Sequence, residues 1–195
     1  MAKDTNKDLL IVVDYQNDFV SPKGQVAKRL GNHILANSQR IAMNIQNAID
    51  RWHEKDYPVL FIVSDYNSKY YSGEFKRHRA ATPYGDLAKK GTWGHKLYKI
   101  KSHKKDKVTV KHYFDGFYKT NLEAYFKKEK VKGIVICGIN TDVCVFHTAL
   151  NAAVRGYKVS VIKDATATVS QDKETFLMYL KRNAGVSIIT LNKVL

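Results

Sequence analysis

Residues 9–13 read Leu-Leu-Ile-Val-Val and stop abruptly at Asp14. An apolar run with no polar alternation suits a strand covered on both faces, as in a parallel sheet flanked by helices. Further apolar, β-branched stretches fall at 58–63, 108–110, 134–137, 159–162 and 187–191. Between them lie helical patterns. Residues 33–55 place Ile34, Leu35, Ile41, Ile45, Ala48, Ile49 and Trp52 on one stripe. Residues 120–130 open on Thr120 with Glu123 three positions on, a capping-box pattern. A third helix over 143–155 ends at Gly156, and a fourth over 171–184 stops at Gly185. Strands alternating with helices imply an α/β protein with a mainly parallel sheet and helices on both faces. The stretch 64–107 fits neither pattern. Its length and polarity mark it as a lid or binding insert within one domain spanning 1–195.

Composition excludes several classes. No apolar run approaches the ~18 residues of a membrane span, and the first residues are polar rather than leader-like. The two cysteines, Cys137 and Cys144, are seven positions apart, so they form no C-x-x-C motif. A reducing, cytoplasmic location is the expectation. The formal net charge is +15, and residues 66–111 hold 13 Lys/Arg against Glu74, Asp86 and Asp106. No helix-turn-helix, zinc-finger or RNP-type motif accompanies that basic segment. It reads as a solvated face that aids solubility or attracts anions, and no nucleic-acid partner is expected.

Function in parallel α/β sheets gathers beyond the carboxyl ends of the strands. Asp14 follows the first strand there, and Lys111 follows Val108-Thr109-Val110. Cys144 lies near the start of a helix after Ile134–Cys137. An acid, an amine and a thiol brought together make a nucleophilic site. A helix N-terminus and an ammonium favour the thiolate, and a carboxylate can take the thiol proton and return it to a leaving amine. Each residue also has an ordinary reading: Asp14 as a turn residue, Lys111 as surface charge, Cys144 as core.

Three blocks carry a resemblance: "LIVVDYQNDF", "VKHYFDGFYKTNLEAYF" and "VICGINTDVCVFHTALNAAVRGYKVSVIKDATA". They resemble the signature segments of the isochorismatase-like cysteine hydrolases, a superfamily that includes nicotinamidases, N-carbamoylsarcosine amidases and ureidoacrylate amidohydrolases. The similarity runs over roughly residues 8–190. It implies a three-layer α/β/α, Rossmann-like fold around a six-stranded parallel sheet, and a homo-oligomer of closed symmetry. It matches Asp14, Lys111 and Cys144 to an Asp–Lys–Cys triad. It also implies a cis peptide bond before Asn140, with the amides of Asn140 and Cys144 forming an oxyanion hole. Asp142 is expected to cap the following helix, and Asp18 to organise the turn after Asp14. Phe19 matches an aromatic that packs on substrate, and Tyr84, Trp93 and Phe117 are expected to line the same pocket.

The sequence departs from its metal-dependent relatives. Nicotinamidases bind a metal through a D-x-H element and a histidine before a GT-x-G turn. Here the first element reads Asp65-Tyr66-Asn67, and Leu87 stands four residues before Gly91. His78 and His95 lie nearby without the required spacing. A site lacking both imidazoles is a poor one for zinc or iron, so no metal and no cofactor are expected. Isochorismatases proper lack the nucleophilic cysteine, which Cys144 supplies here.

The resemblance therefore implies a metal-free amidohydrolase acting on a small amide or carbamoyl compound through a thioester. Arg77 and Arg79 either steer an anionic substrate or are plain surface charge. Two alternatives stay open: a metal-dependent nicotinamidase-type or isochorismatase-type hydrolase, and a basic, non-catalytic protein that binds nucleic acid or anions.

Overall fold

A computed structural model describes residues 8–30, 37–82, 84–169 and 172–194. Six strands form one parallel sheet: β1 (Leu9–Val13), β2 (Val59–Ser64), β3 (Lys107–Lys111), β4 (Gly133–Ile139), β5 (Lys158–Ala167) and β6 (Ser187–Ile189). Their order across the sheet is β3-β2-β1-β4-β5-β6. The order reverses beside β1, so a crevice opens at its carboxyl end, where α/β sheets bind ligands.

The unbroken apolar run of β1 is explained by its two partners in depth. Leu10 and Val12 face one cluster with Ile45, Ile49 and Trp52, while Leu9, Ile11 and Val13 face a second with Phe126, Ala149 and Leu177. All five β1 residues are buried. Truncating Ile11 to alanine removes contacts on a fully packed face and costs about 2–5 kcal/mol.

Among the described residues seven α-helices accompany the sheet: α1 (Asn17–Val20), α2 (Gln25–Leu30), α3 (Ser38–Glu54), α4 (Gly73–Ala80), α5 (Leu122–Lys128), α6 (Phe146–Val154) and α7 (Lys173–Ala184). The α3 stripe packs Ile41, Ile45, Ile49 and Trp52 on one sheet face, and the Trp52 indole donates to the Asp8 carbonyl at 2.8 Å. Helices α5, α6 and α7 cover the other face. The expected starts of two helices, with Ile34 and Leu35, fall at residues outside those described.

Three local expectations are corrected. Helix α5 starts at Leu122, because the Thr120 hydroxyl donates to the Gly116 carbonyl and accepts from the Leu122 amide. Glu123 pairs with Lys127 and Arg155 rather than closing a capping box. Strand β5 runs to Ala167, well past Ile162. A bulge between Ile136 and Gly138 re-registers the pair, so Thr166 and Ala167 align with Gly138 and Ile139 beyond the polar Lys163-Asp164 step. The segment between β2 and β3 contains α4 and two 3₁₀ turns, Ser68–Tyr70 and Trp93–His95, which its weak periodicity conceals.

Candidate active site

Asp14 is the first residue beyond β1 and adopts φ +50°, a left-handed conformation that aspartate tolerates better than most side chains. Lys111 closes β3, two strand spacings away, about 10 Å. Its side chain crosses the end of β2, where Ser64 is its register partner. The Lys111 Nζ comes to rest 2.7 Å from Asp14 Oδ2, 2.8 Å from Ser64 Oγ and 3.3 Å from Cys144 Sγ. Ser64 in turn donates to Asp14 Oδ1 at 2.9 Å. All four residues are buried, Lys111 completely. The three strand-end residues of the sequence reading meet around one ammonium.

Cys144 reaches this point through an irregular connection. Gly138 takes φ +114°, and a Cβ there would sit 2.1 Å from the Val13 carbonyl oxygen. Only glycine lets β4 approach β1 so closely. The Ile139–Asn140 peptide bond is cis. Residues Thr141–Val145 form a π-helical turn, in which the Asn140 carbonyl accepts from the Val143 and Val145 amides at 3.1 and 3.0 Å. Asp142 does not cap this turn. Its carboxylate accepts from the Thr168 hydroxyl instead.

The ammonium that favours the thiolate works here against burial. Burial pushes the Cys144 thiol up to about 12; the Lys111 ammonium pulls it down, and the Asp14 carboxylate pushes it up again. Lys111 is already paired with Asp14, so its charge is only partly available to sulfur. Burial disfavours the Lys111 ammonium too, but Asp14, Cys144 and Tyr66 together hold its proton well above the usual lysine range. The resting site therefore holds an ion pair beside a neutral thiol. Cys137 has no such neighbours, and burial alone raises its thiol strongly.

Tyr66 belongs to this group although no sequence pattern marks it. Its hydroxyl is 3.2 Å from Cys144 Sγ and accepts from Lys111 Nζ at 3.0 Å. With the lysine donating to it, the phenol can turn its own proton to sulfur or to the Tyr113 carbonyl at 3.5 Å. Tyr66 is the middle residue of the Asp65-Tyr66-Asn67 stretch, whose flanking residues drew attention as lost metal ligands.

Asp14, Tyr66 and Cys144 of this group form the floor of a cavity of about 360 Å³, large enough for a small metabolite. Asp14, Ile139, Asn140, Asp142, Val143, Cys144 and Val169 contribute from the strand ends, with Phe19 and Val26 from the segment after β1. The long insert supplies Tyr66, Arg79, Tyr84 and Leu87, and Phe114 completes the wall. Of the expected pocket residues, Phe19 and Tyr84 line this cavity. Two residues do not. Phe117 lies in the core on the opposite sheet face, edge-on to Phe126, and Phe114 takes its place in the cavity. Trp93 is 48% exposed and does not line the cavity; its carbonyl accepts from the Asn17 side chain and the Lys96 amide. The two arginines separate: Arg77 is exposed and paired with Glu74, whereas Arg79 is buried in the cavity wall. Asp18 organises its surroundings as expected, accepting from the Gln25 and Ala88 amides.

The donor set for a catalytic metal does not fit. Asn67 caps the Ser68–Tyr70 turn, Leu87 is buried in the core, and Asp65 accepts from the Lys90 amide. The His95 ring lies among Gln16, Ser64 and Ala88 acceptors and donors. Among the described residues, no group of three His, Cys, Asp or Glu side chains has ligand geometry.

Comparison with known proteins agrees with this architecture. The chain is 28% identical over 197 residues to a probable inactive nicotinamidase of Arabidopsis thaliana, covering 99% of this chain and 97% of that one. It is 28% identical to the nicotinamidase of Saccharomyces cerevisiae, covering 85% and 90% of the two chains. Its fold matches the crystal structure of N-carbamoylsarcosine amidase from Thermoplasma acidophilum, with a TM-score of 0.77 at 24% identity over 96% and 98% of the chains. Residues 8–193 match the isochorismatase domain, and the chain belongs to that family.

Proposed function

We propose that this protein is a cysteine amidohydrolase that cleaves the C–N bond of a small amide or carbamoyl compound without a metal. The observation that carries this reading is the buried Lys111 ammonium, within 3.3 Å of both the Asp14 carboxylate and the Cys144 sulfur at the cavity floor. The names of the nicotinamidase and carbamoylsarcosine amidase relatives support the same bond type.

Because the thiol rests neutral, attack and deprotonation occur together. Asp14 Oδ2 accepts from the Lys111 ammonium at 2.7 Å, and the same carboxylate faces the Cys144 thiol, so it is placed to take the thiol proton. Sulfur bonds to the carbonyl carbon as the proton passes to Asp14, and the carbonyl becomes an oxyanion. The Asn140 and Cys144 amides are the donors assigned to that oxygen; one such donor typically contributes ~3 kcal/mol to the transition state. Asp14 returns the proton to the leaving nitrogen as the C–N bond breaks, leaving a thioester. Water then attacks the thioester and gives its proton to Asp14, and the departing sulfur recovers it. Lys111 and the Tyr66 hydroxyl compensate the negative charge as it moves between sulfur and carboxylate.

The test is ammonia release from a panel of small primary amides and ureas by wild type and Cys144→Ala. Turnover that vanishes in the variant, with the thermal melt preserved, is the expected result. Undiminished turnover in Cys144→Ala overturns the reading.

A further inference from the structure

Arg79 is a charge without a counter-charge. It lies on α4, is 6% exposed, and lines the same cavity as Cys144. Its Nη2 donates to the Gly85 carbonyl at 3.2 Å, and its guanidinium stacks over Tyr66 and Phe114 at 5.0 and 5.7 Å from the ring centres. Its Nε is buried with no hydrogen-bond partner. No carboxylate among the described residues forms an ion pair with it. The neighbouring Tyr71 hydroxyl faces the guanidinium as an uncharged polar partner and brings no counter-charge. The two carboxylates that line the cavity are occupied elsewhere, Asp14 by Lys111 and Ser64, and Asp142 by Thr168.

A buried guanidinium held by one carbonyl, a phenol hydroxyl and two ring faces meets no negative charge, and a ligand anion would complete it. Its planar fork suits a carboxylate, which it can bind through two parallel hydrogen bonds. Tyr66 fixes the separation. Its ring lies under Arg79 and its hydroxyl touches Cys144 Sγ, so one tyrosine side chain spans the distance from anion anchor to nucleophile. A substrate that fills both positions carries its acid group a few bonds from the scissile carbonyl.

We propose that Arg79 anchors a substrate carboxylate, and that the cavity takes small monoamides or carbamoyl derivatives of organic acids. This rests on the amidohydrolase reading above. Among the described residues that line the cavity Arg79 is the only cation, so selectivity for the acid falls on it.

The experiment compares succinamate with valeramide, and N-carbamoylglycine with propylurea, as acid and neutral pairs of similar size. For wild type, kcat/KM for the acid exceeds that of the neutral partner by roughly 10- to 100-fold, the range of a charge-assisted bidentate contact. In Arg79→Gln that ratio collapses towards one, chiefly through KM for the acid. Arg79→Lys keeps the charge but not the fork and gives an intermediate ratio; it also guards against a folding defect in the glutamine variant. A wild type that prefers the neutral compounds, or an Arg79→Gln protein that keeps the acid preference, overturns the assignment. Succinate binding by calorimetry to Cys144→Ala, with and without Arg79→Gln, separates the two readings. Binding that needs Arg79, in a protein whose wild type releases no ammonia, upholds the anion site and removes the hydrolase. Turnover without Arg79-dependent succinate binding does the reverse.

Discussion

Cys144 should rest as a thiol, and this can be read directly from thiolate ultraviolet absorbance. With the group pushed up to about 12, roughly one molecule in 10⁴ carries thiolate at pH 8. A free cysteine of pKa ~8.5 would give roughly one in four. The perturbation is Asp14→Asn, which removes the carboxylate that raises the thiol and frees Lys111 to act on sulfur alone. Both changes favour the thiolate, so the variant's titration moves to lower pH. The assay is the absorbance difference between each protein and its Cys144→Ala counterpart from pH 5 to 9. Wild type should show no step over that range, and Asp14→Asn should show thiolate appearing earlier. A wild-type step below pH 8, or an upward shift in Asp14→Asn, would refute the reasoning that Asp14 holds the proton on sulfur until substrate arrives.

Other outcomes follow from the same contacts. Tyr66→Phe deletes one hydroxyl shared by Lys111 and Cys144, and should lower kcat by about 10-fold while leaving the melt near wild type, as steady-state kinetics will tell. Lys111→Met strands the buried Asp14 carboxylate and should destabilise the fold by about 3–5 kcal/mol in urea denaturation. Both thiols are raised in the folded state, so the unfolded chain releases those protons first. Stability should therefore be unaffected below about pH 8 and fall as pH rises above it, and Cys137→Ala should flatten that fall in alkaline melts. Trp93→Ala, outside the cavity lining, should leave KM within about two-fold of wild type in steady-state kinetics.

The sheet was legible because its strands are buried on both faces, and continuous apolar runs such as Leu9–Val13 have few other uses. The chemistry at the strand ends was legible for a related reason. Asp14 and Lys111 each sit at the edge of a run that ought to be wholly apolar, and a charge there needs a partner. The insert between β2 and β3 was opaque. Its helix α4 has no continuous apolar face, because only Arg79 of its eight residues is buried. An arginine whose burial depends on stacking over Tyr66 and Phe114 looks like any other cation in the Phe75-Lys76-Arg77-His78-Arg79 run. Phe114 and Phe117 were confused because a turn, rather than a periodic element, decides which sheet face each ring meets. Tyr66 was missed since its role depends on three strands converging, which no local pattern records.

Ser64 and Lys111 are register partners on adjacent strands, so the two ends of the insert are pinned one strand spacing apart by the sheet itself. Closing a loop between fixed ends depends only weakly on its length, each doubling adding ~0.6 kcal/mol. Evolution or an engineer can therefore replace the segment beyond Tyr66 with one of different size while Asp14, Lys111 and Cys144 keep their places. In such a chain the substrate can change as a cassette, with the reaction left behind on the scaffold.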